Sequence, residues 1–272
     1  MSLILIDTSY TIFYRFYATI RWFSFNSPDE YALIKTNPNY EWDKNKIFIE
    51  KYEKMFLESI LKLILKKIFN KSKIIFCLDS PRTTLWRNEL NCHYKSNRNN
   101  KYNFDAIFNY TLNYIIPNIL SKHSNCMILK INNIEADDII AGICMFYKEY
   151  DKTKEIYIIS GDEDFLQLGR DNIIFINYKN KKKIILTEDE AKLLLLKKIL
   201  FGDKSDCIKS IIIKKSKIKK NDLLNDKILY DYFEKYPEAK QKYQSNSLLI
   251  DFNNIPQKYL FLINDFITSN LI

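Results

Sequence analysis

Four short apolar runs of β type, separated by longer segments with helical spacing, constrain the fold of this chain most strongly. Strands that alternate with helices predict a parallel sheet with crossover helices. We therefore expect an α/β fold with a mainly parallel central sheet flanked by helices. The four runs are Leu3–Ile6, Lys73–Leu78, Cys126–Ile131 and Glu155–Ser160.

The segments between these runs have the spacing of amphipathic helices. Ile47–Phe69 shows it best, because apolar residues recur three and four positions apart while lysines and glutamates occupy the other side. The polar stretch 96–100 predicts a loop. Three further segments are predicted to be helical: Arg82–Asn97, Phe104–Leu120 and Ala136–Tyr150.

The character of the chain changes near residue 187, where the β-type runs give way to helical segments and a lysine-rich stretch. This change predicts an α/β core over residues 1–186 and a helical extension over residues 187–272. The core would include a basic helical arch near residues 82–120.

The overall charge and a few residue counts exclude several functional classes. Lys and Arg number 42 against 33 Asp and Glu, a net charge of +9 that favours polyanionic partners such as nucleic acid. Only four glycines are present, and neither phosphate-binding glycine motif occurs. Five cysteines without C-x-x-C spacing predict reduced thiols, and hence an intracellular protein. No apolar stretch approaches the roughly 18 residues that span a bilayer.

Acidic residues follow each of the four predicted strands. Each one alone is typical of a helix cap or a solvated turn. Because ligands bind outside the carboxyl ends of parallel strands, the acids are expected to meet in one cleft, where they would repel each other without a cation. The seven acids are Asp7, Asp79, Glu135, Asp137, Asp138, Asp162 and Asp164.

This many carboxylates suggests two Mg²⁺ ions, for which Mn²⁺ can substitute. Two such ions about 4 Å apart can activate a water and stabilise the leaving oxygen of a phosphodiester. Schemes based on Ser–His or Cys–His pairs have little support, since the chain has only two histidines.

The spacing of the acids adds two details. Glu135, Asp137 and Asp138 can converge only if Glu135 precedes the regular helix, so we predict a helix that begins near Ala136. Asp203 and Asp206 follow Gly202. Alone they resemble a capping pattern; with the other acids they supply two more ligands.

In order and spacing these segments resemble the 5′ nucleases, which include flap endonucleases, the 5′–3′ exonuclease domain of bacterial DNA polymerase I and bacteriophage ribonuclease H. The bacteriophage branch is the most similar, because Leu85-Trp86-Arg87 precedes the Tyr-Lys-x-x-Arg block and Leu249-Ile-Asp-Phe comes late. The matching segments are 6–8, Asp79 with 86–87 and 94–98, 135–138, 160–164 and 202–206.

The resemblance implies a PIN-like 5′ nuclease core and a partition of the acids between two metals. Sharing between the two sites is expected, with Asp203 adjacent to the second. The first metal would be surrounded by Asp7, Asp79, Glu135 and Asp137, and the second by Asp138, Asp162, Asp164 and Asp206.

The resemblance also implies roles for residues of the arch. Lys95 and Arg98 match the basic residues that the family places over the scissile phosphate, where fixed cations stabilise the transition state; a solvated basic face is the alternative. Tyr94 matches an aromatic that stacks on the terminal base, with a buried core tyrosine as the alternative. Arg82 and Arg87 are candidate phosphate contacts or solvated arginines.

One departure concerns the duplex-binding region. Family members usually continue after the last acidic motif into a glycine-containing helix–hairpin–helix, whereas residues 207–220 contain no glycine. Lysine side chains are candidates to replace this backbone contact in a salt-dependent and sequence-independent way; a solvated lysine face is the alternative. These lysines are Lys209, Lys214, Lys215, Lys217, Lys219 and Lys220.

The acids predict a metal-dependent nuclease. The resemblance implies a two-metal 5′–3′ exonuclease or flap endonuclease with ribonuclease H activity, which removes RNA primers during replication. Expected partners are DNA and RNA–DNA duplexes with 5′ ends or flaps, and a single-strand-binding protein or sliding clamp; the chain is expected to be a monomer. The alternative is a structure-specific nucleic-acid-binding protein whose catalysis has decayed. A phosphatase of the Asp-x-Asp kind is less supported, because Thr8-Ser9 follows Asp7.

Overall fold

The computed structural model describes residues 2–96, 102–212 and 226–272. Its centre is a six-stranded sheet in the order β3-β2-β1-β4-β5-β6. Strands β1 to β5 pair in parallel, and β6 pairs antiparallel with β5 at the edge. The predicted α/β class with a mainly parallel sheet is confirmed. The strands are β1 Leu3–Asp7, β2 Lys73–Leu78, β3 Cys126–Lys130, β4 Ile156–Ile159, β5 Ile173–Ile176 and β6 Lys183–Ile184.

Helices cover both faces of this sheet and continue to the C-terminal end of the chain. Several begin at side-chain caps, such as Asp7, which accepts a hydrogen bond from the Tyr10 amide, and Asn45, which accepts one from Phe48. The helices are α1 Thr8–Asn26, α2 Pro28–Ile34, α3 Lys46–Leu63, α4 Lys66–Lys71, α5 Arg87–Leu90, α6 Asp105–Tyr110, α7 Ile116–Lys122, α8 Ala136–Tyr150, α9 Glu188–Phe201, α10 Asp226–Lys235, α11 Pro237–Ile250 and α12 Gln257–Asn270.

The two faces of the sheet are buried against different helices. Along β1, Ile4 and Ile6 join the hydrophobic cluster of α1 and α3. Leu3 and Leu5 point the other way and join the cluster of α8 and α12. Because every residue of such a strand is buried on one face or the other, the strands are continuous apolar runs, which explains why the sequence pattern identified them.

Two predicted helices differ from the structure. The segment 47–69 contains two helices, since Ile64 has an extended backbone that ends α3. Of the predicted helix Arg82–Asn97, the described residues 82–96 contain only a 3₁₀ turn at Arg82–Thr84 and α5, which spans four residues. The Trp86 amide donates instead to the carbonyl of Asn133, so a tertiary hydrogen bond replaces a helical one. The segment 104–120 is helical across α6 and α7, joined by a π-helical turn over Thr111–Ile115.

The predicted change of character near residue 187 coincides with the start of α9. Thr187 caps this helix by accepting a hydrogen bond from the Glu190 amide. Farther on, α12 returns to pack on α8, where Gly142 allows Ile263 to come close: a Cβ added at Gly142 would lie 2.5 Å from Ile263 Cδ1. The helix α12 therefore shares the hydrophobic core on one face of the sheet.

Within residues 2–96, 102–212 and 226–272, no helix combines the length and the apolar character that crossing a bilayer requires.

Candidate active site

Five of the seven acids that were predicted to meet outside the strand ends line one cleft at the carboxyl edge of the sheet. Asp7 is the last residue of β1, and Asp79 comes directly after β2. Glu135 immediately precedes α8, as predicted, and Asp137 lies in the first turn of that helix. Together with Asp162, which follows β4, they line a cleft of about 480 Å³. We call these five residues the first acidic group.

Burial and mutual repulsion disfavour the charged form of several carboxyls in the first acidic group. Burial, and then the charge of Asp79, raises the pKa of Asp7 to about 7, although Asp7 accepts hydrogen bonds from Tyr10 and Ser160. Burial also raises the pKa of Asp79 and places that of Asp137 well above its usual value. A cation bound in the cleft would therefore favour the ionised forms of these three carboxyls.

Lys95 lines this cleft. Its ammonium lies 2.6 Å from Glu135 Oε1 and 3.8 Å from Asp206 Oδ2. Burial, the largest single effect, acts to lower the pKa of Lys95, but the charges of neighbouring groups, first that of Glu135, together outweigh it and the net shift is strongly upward. The backbone of Lys95 has φ +54°, an uncommon value for a residue with a side chain. The turn thus directs a charged side chain inward.

Tyr94, next to Lys95, is buried. Its hydroxyl lies 3.0 Å from Glu135 Oε2 and 3.4 Å from Asp206 Oδ2. The ring belongs to an apolar cluster that includes Leu85 and Ile199. The prediction that Tyr94 stacks on a base is therefore wrong for this structure, and its alternative, a buried core tyrosine, is what the structure shows.

Two further predictions are wrong: that Arg87 contacts phosphate and that Asp138 holds a metal ion. These two side chains instead bind each other in the protein interior. Arg87 donates from Nη2 to Asp138 Oδ1 at 2.7 Å and from Nη1 to Oδ2 at 2.8 Å. Asp138 Oδ2 also accepts from Trp86 Nε1 and from the Glu135 amide. The side chains of Arg87 and Asp138 are 3% and 0% exposed. Arg87 is therefore closed to phosphate, and Asp138 is closed to metal.

Arg87 nevertheless contacts Glu135 of the first acidic group from the protein interior. Its Nη1 lies 3.2 Å from Glu135 Oε2, and its Nε donates to the carbonyl of Leu249 in α11. Burial alone would raise the pKa of Glu135, but Lys95 and Arg87 together lower it. Arg87 thus joins the C-terminal helices to the acidic edge of the sheet and keeps Glu135 ionised.

A second acidic group adjoins the first. Asp164, Asp203 and Asp206 each place a carboxylate oxygen within 4.8 Å of the others. Asp203 exchanges two backbone hydrogen bonds with Ile208, which closes a short loop after Gly202. Gly202 has φ +75° and no space for a Cβ, so the loop requires glycine there.

Lys198, in the last turn of α9, was not predicted from the sequence. Its ammonium lies 2.8 Å from Asp203 Oδ2 and also contacts Asp164 Oδ1. Burial acts to raise the pKa of Asp203, but hydrogen bonds and charge, mainly from Lys198, lower it to about 2. The only sequence signal is a lysine five positions before an acid.

The two acidic groups border a continuous surface. Tyr10 and Asp162 line both the first cleft and a neighbouring one that contains Asp164, Asp203 and Lys198. Tyr10 packs its hydroxyl against Gly161, where a side chain would collide with it. Tyr10 was also not predicted, since one tyrosine in an apolar helix has no distinguishing pattern.

The predicted nucleic-acid contacts are only partly described. Arg82 is exposed and lines the first cleft, and Lys209 is exposed near the second acidic group. The remaining predictions fall outside the described residues: Arg98, Lys214, Lys215, Lys217, Lys219 and Lys220.

Sequence comparisons agree with the motifs. The model of the family described as 5′–3′ exonuclease, N-terminal resolvase-like domain, matches residues 2–195. Ribonuclease H of Enterobacteria phage T4 is 26% identical over 251 residues, which cover 85% of this chain and 78% of the T4 protein. A 5′–3′ exonuclease of Buchnera aphidicola is 32% identical over 196 residues, 70% of this chain but only 55% of that relative.

Solved structures have the same fold. The T5 D15 protein, co-crystallised with metal ions, superposes with a TM-score of 0.63 over 100% of both chains at 15% identity. The T5 5′-exonuclease with bound zinc gives 0.60 over 99% of each chain, also at 15% identity. The resemblance found in the sequence is confirmed, and the chain belongs to the 5′–3′ exonuclease family of nucleases.

Proposed function

We propose that this protein is a Mg²⁺-dependent 5′ nuclease that hydrolyses phosphodiesters near the 5′ end of RNA or DNA in duplexes, and that it removes RNA primers during replication. The convergence of two acidic groups around one buried lysine supports this proposal most strongly. Lys95 contacts Glu135 of the first group and lies 3.8 Å from Asp206 of the second. A phosphate in this cleft would have both acids and an ammonium beside it.

The acidic groups fit hard divalent cations. Their donors are carboxylate oxygens, the ligands that Mg²⁺ prefers. Burial, and after it the charge of neighbouring acids, raises the pKa of Asp7, Asp79 and Asp137, so a bound cation would favour their ionised forms. When bound, such ions act as Lewis acids that activate water and neutralise phosphate charge. One ion would be held by Asp7, Asp79, Asp137 and Asp162, and a second by Asp164, Asp203 and Asp206. Bacteriophage T5 proteins of the same fold have been solved with metal ions, which supports divalent metal binding.

Binding of the duplex is proposed to depend on the basic surface around the cleft. Arg82 and Lys209 are exposed near the acidic groups, and Arg98 and the lysines between residues 214 and 220 would add to them. Contacts of this kind act on phosphates, so binding should weaken with salt and show little sequence preference. A flap endonuclease of bacteriophage T5 has been solved with DNA, which supports nucleic acid as the ligand.

A cleavage assay on 5′-labelled substrates tests the proposed function. We expect an RNA-primed duplex and a DNA flap to release short 5′ fragments in Mg²⁺ and to remain intact in EDTA. Cleavage that proceeds equally in EDTA would contradict the metal-dependent chemistry. Tight binding of the flap without any cleavage would instead favour the decayed nucleic-acid-binding protein.

Lys95→Ala should lower single-turnover cleavage by about 10²-fold, the loss typical of removing one preorganised donor from a transition state. Binding of the duplex, measured in Ca²⁺, should change by less than about threefold, because one phosphate contact contributes little to a large interface. Lys54→Ala, an exposed lysine on α3, is the control and should leave both values unchanged. A loss confined to binding would contradict the assigned role.

The raised pKa of Asp7 predicts a dependence on pH between about 4 and 7. Because the folded state holds this proton more tightly than the unfolded chain, the metal-free protein should lose stability as pH rises through that range. Divalent metal should bind more tightly over the same range, with release of protons. Thermal melting in EDTA and in Mn²⁺ at pH 5, 6, 7 and 8 measures both effects. Metal-free stability that rises from pH 5 to 8 would contradict the burial of Asp7.

A further inference from the structure

The second acidic group already contains a cation of the protein. The Lys198 ammonium contacts Asp203 and Asp164, and the three side chains are 24%, 12% and 19% exposed. These carboxylates, with Asp206, are the ones proposed to hold the second metal. The ammonium and the metal therefore require the same oxygens.

The backbone fixes this arrangement. Lys198 lies in the last turn of α9, and its carbonyl accepts a hydrogen bond from the Gly202 amide. Gly202 then turns the chain so that Asp203 comes back toward the helix. Ile199 and Leu200 are buried and anchor this end of α9. The turn at Gly202 consequently places Asp203 beside the Lys198 ammonium, which is only partly exposed.

We propose that Lys198 is a built-in counter-ion of the second acidic group, which competes with the divalent ion for Asp164 and Asp203 and so makes metal binding weaker there than at the first group. The inference rests on the proposed function, since it concerns the metals of that site. An ion that enters the second group must break two ion pairs before it gains carboxylate ligands. The first group differs, because its lysine, Lys95, pairs with Glu135 and not with the four carboxylates proposed to hold the first ion.

Mn²⁺ titration of the full chain without substrate, followed by electron paramagnetic resonance, tests the proposal. Wild type should bind ions in two classes of unequal affinity. Lys198→Met should tighten the weaker class about tenfold, because a charge close to the ion is removed. Lys197→Met, a change of the neighbouring lysine on α9, should alter neither class by more than about twofold. Lys198→Gln serves in place of the methionine variant if that variant does not fold.

Further outcomes separate this inference from the proposed function. Asp203→Asn should remove or weaken the weaker class, which assigns that class to the second acidic group. If wild type binds Mn²⁺ and cleaves substrate, but the weaker class is unchanged or weaker still in Lys198→Met, the role of Lys198 is wrong and the proposed function stands. If wild type binds no Mn²⁺ at all, the proposed function itself fails.

Discussion

Asp162→Asn should lower single-turnover cleavage of a 5′-labelled duplex by about 10³-fold or more, equivalent to about 4 kcal/mol of transition-state stabilisation. Asp162 lines both the first cleft and the neighbouring one. Removal of its charge therefore affects the two proposed ions together. Its Oδ1 accepts a hydrogen bond from the Asp164 amide. Asparagine keeps an oxygen acceptor of the same size, so the fold should be retained.

Asp265→Asn is the matched control, because Asp265 is an exposed acid on α12. It should cleave at the wild-type rate. Melting temperatures of both variants should stay within a few degrees of wild type. Full activity of Asp162→Asn would show that the acidic edge of the sheet is not the centre of the chemistry.

Arg87→Met should lower the free energy of unfolding by about 3–5 kcal/mol, the usual effect of breaking a buried ion pair from one side. Asp138 would keep its charge without its bidentate partner, and Glu135 would lose one of its donors. The contact with the carbonyl of Leu249 would also be lost. Urea unfolding measures the change, with Arg21→Met, an exposed arginine on α1, as a control that should shift stability by less than about 0.5 kcal/mol.

A double variant separates lost charge pairing from lost packing. Replacing the whole pair, in Arg87→Met with Asp138→Leu, should recover part of the stability, since no unpaired charge of that pair remains buried. A loss below about 1 kcal/mol in Arg87→Met alone would mean that the pair is exposed to water or not formed.

Much of the fold could be predicted because its strands are buried on both faces. Ile156–Ile159 is apolar at every position, and the structure places both faces of β4 against hydrophobic clusters. The position of the acids after these strands could be predicted because the carboxyl ends of parallel strands lie at one edge of the sheet. The strands β5 and β6 were not predicted, and β6 spans only two residues that pair with β5 at the edge.

The orientation of individual acids could not be predicted from spacing. Glu135, Asp137 and Asp138 look equivalent in the sequence, yet Asp137 faces the cleft and Asp138 faces the interior. The difference comes from Arg87, which belongs to a segment that looked helical and is folded back on α8 by a tertiary hydrogen bond. Pairing across 51 residues of chain leaves no local pattern.

Lys198 illustrates a second limit. In the sequence it resembles any solvent-facing lysine of a helix. Its ion pair with Asp203 depends on the turn at Gly202, which brings Asp203 beside it. Gly202 was recognised only as part of a motif. Because Gly202 has a positive φ, the chain turns back there, and Lys198 and Asp203 can pair although they are five positions apart.

Counting the divalent ions bound by the folded chain tests most directly whether the two acidic groups form one metal centre. In a Mn²⁺ titration near pH 7.5 we predict two ions per wild-type chain, and fewer in Asp162→Asn, the residue shared by both clefts. No saturable binding by wild type, or an ion count and affinities unchanged by Asp162→Asn, would contradict the assignment of these carboxylates to metal.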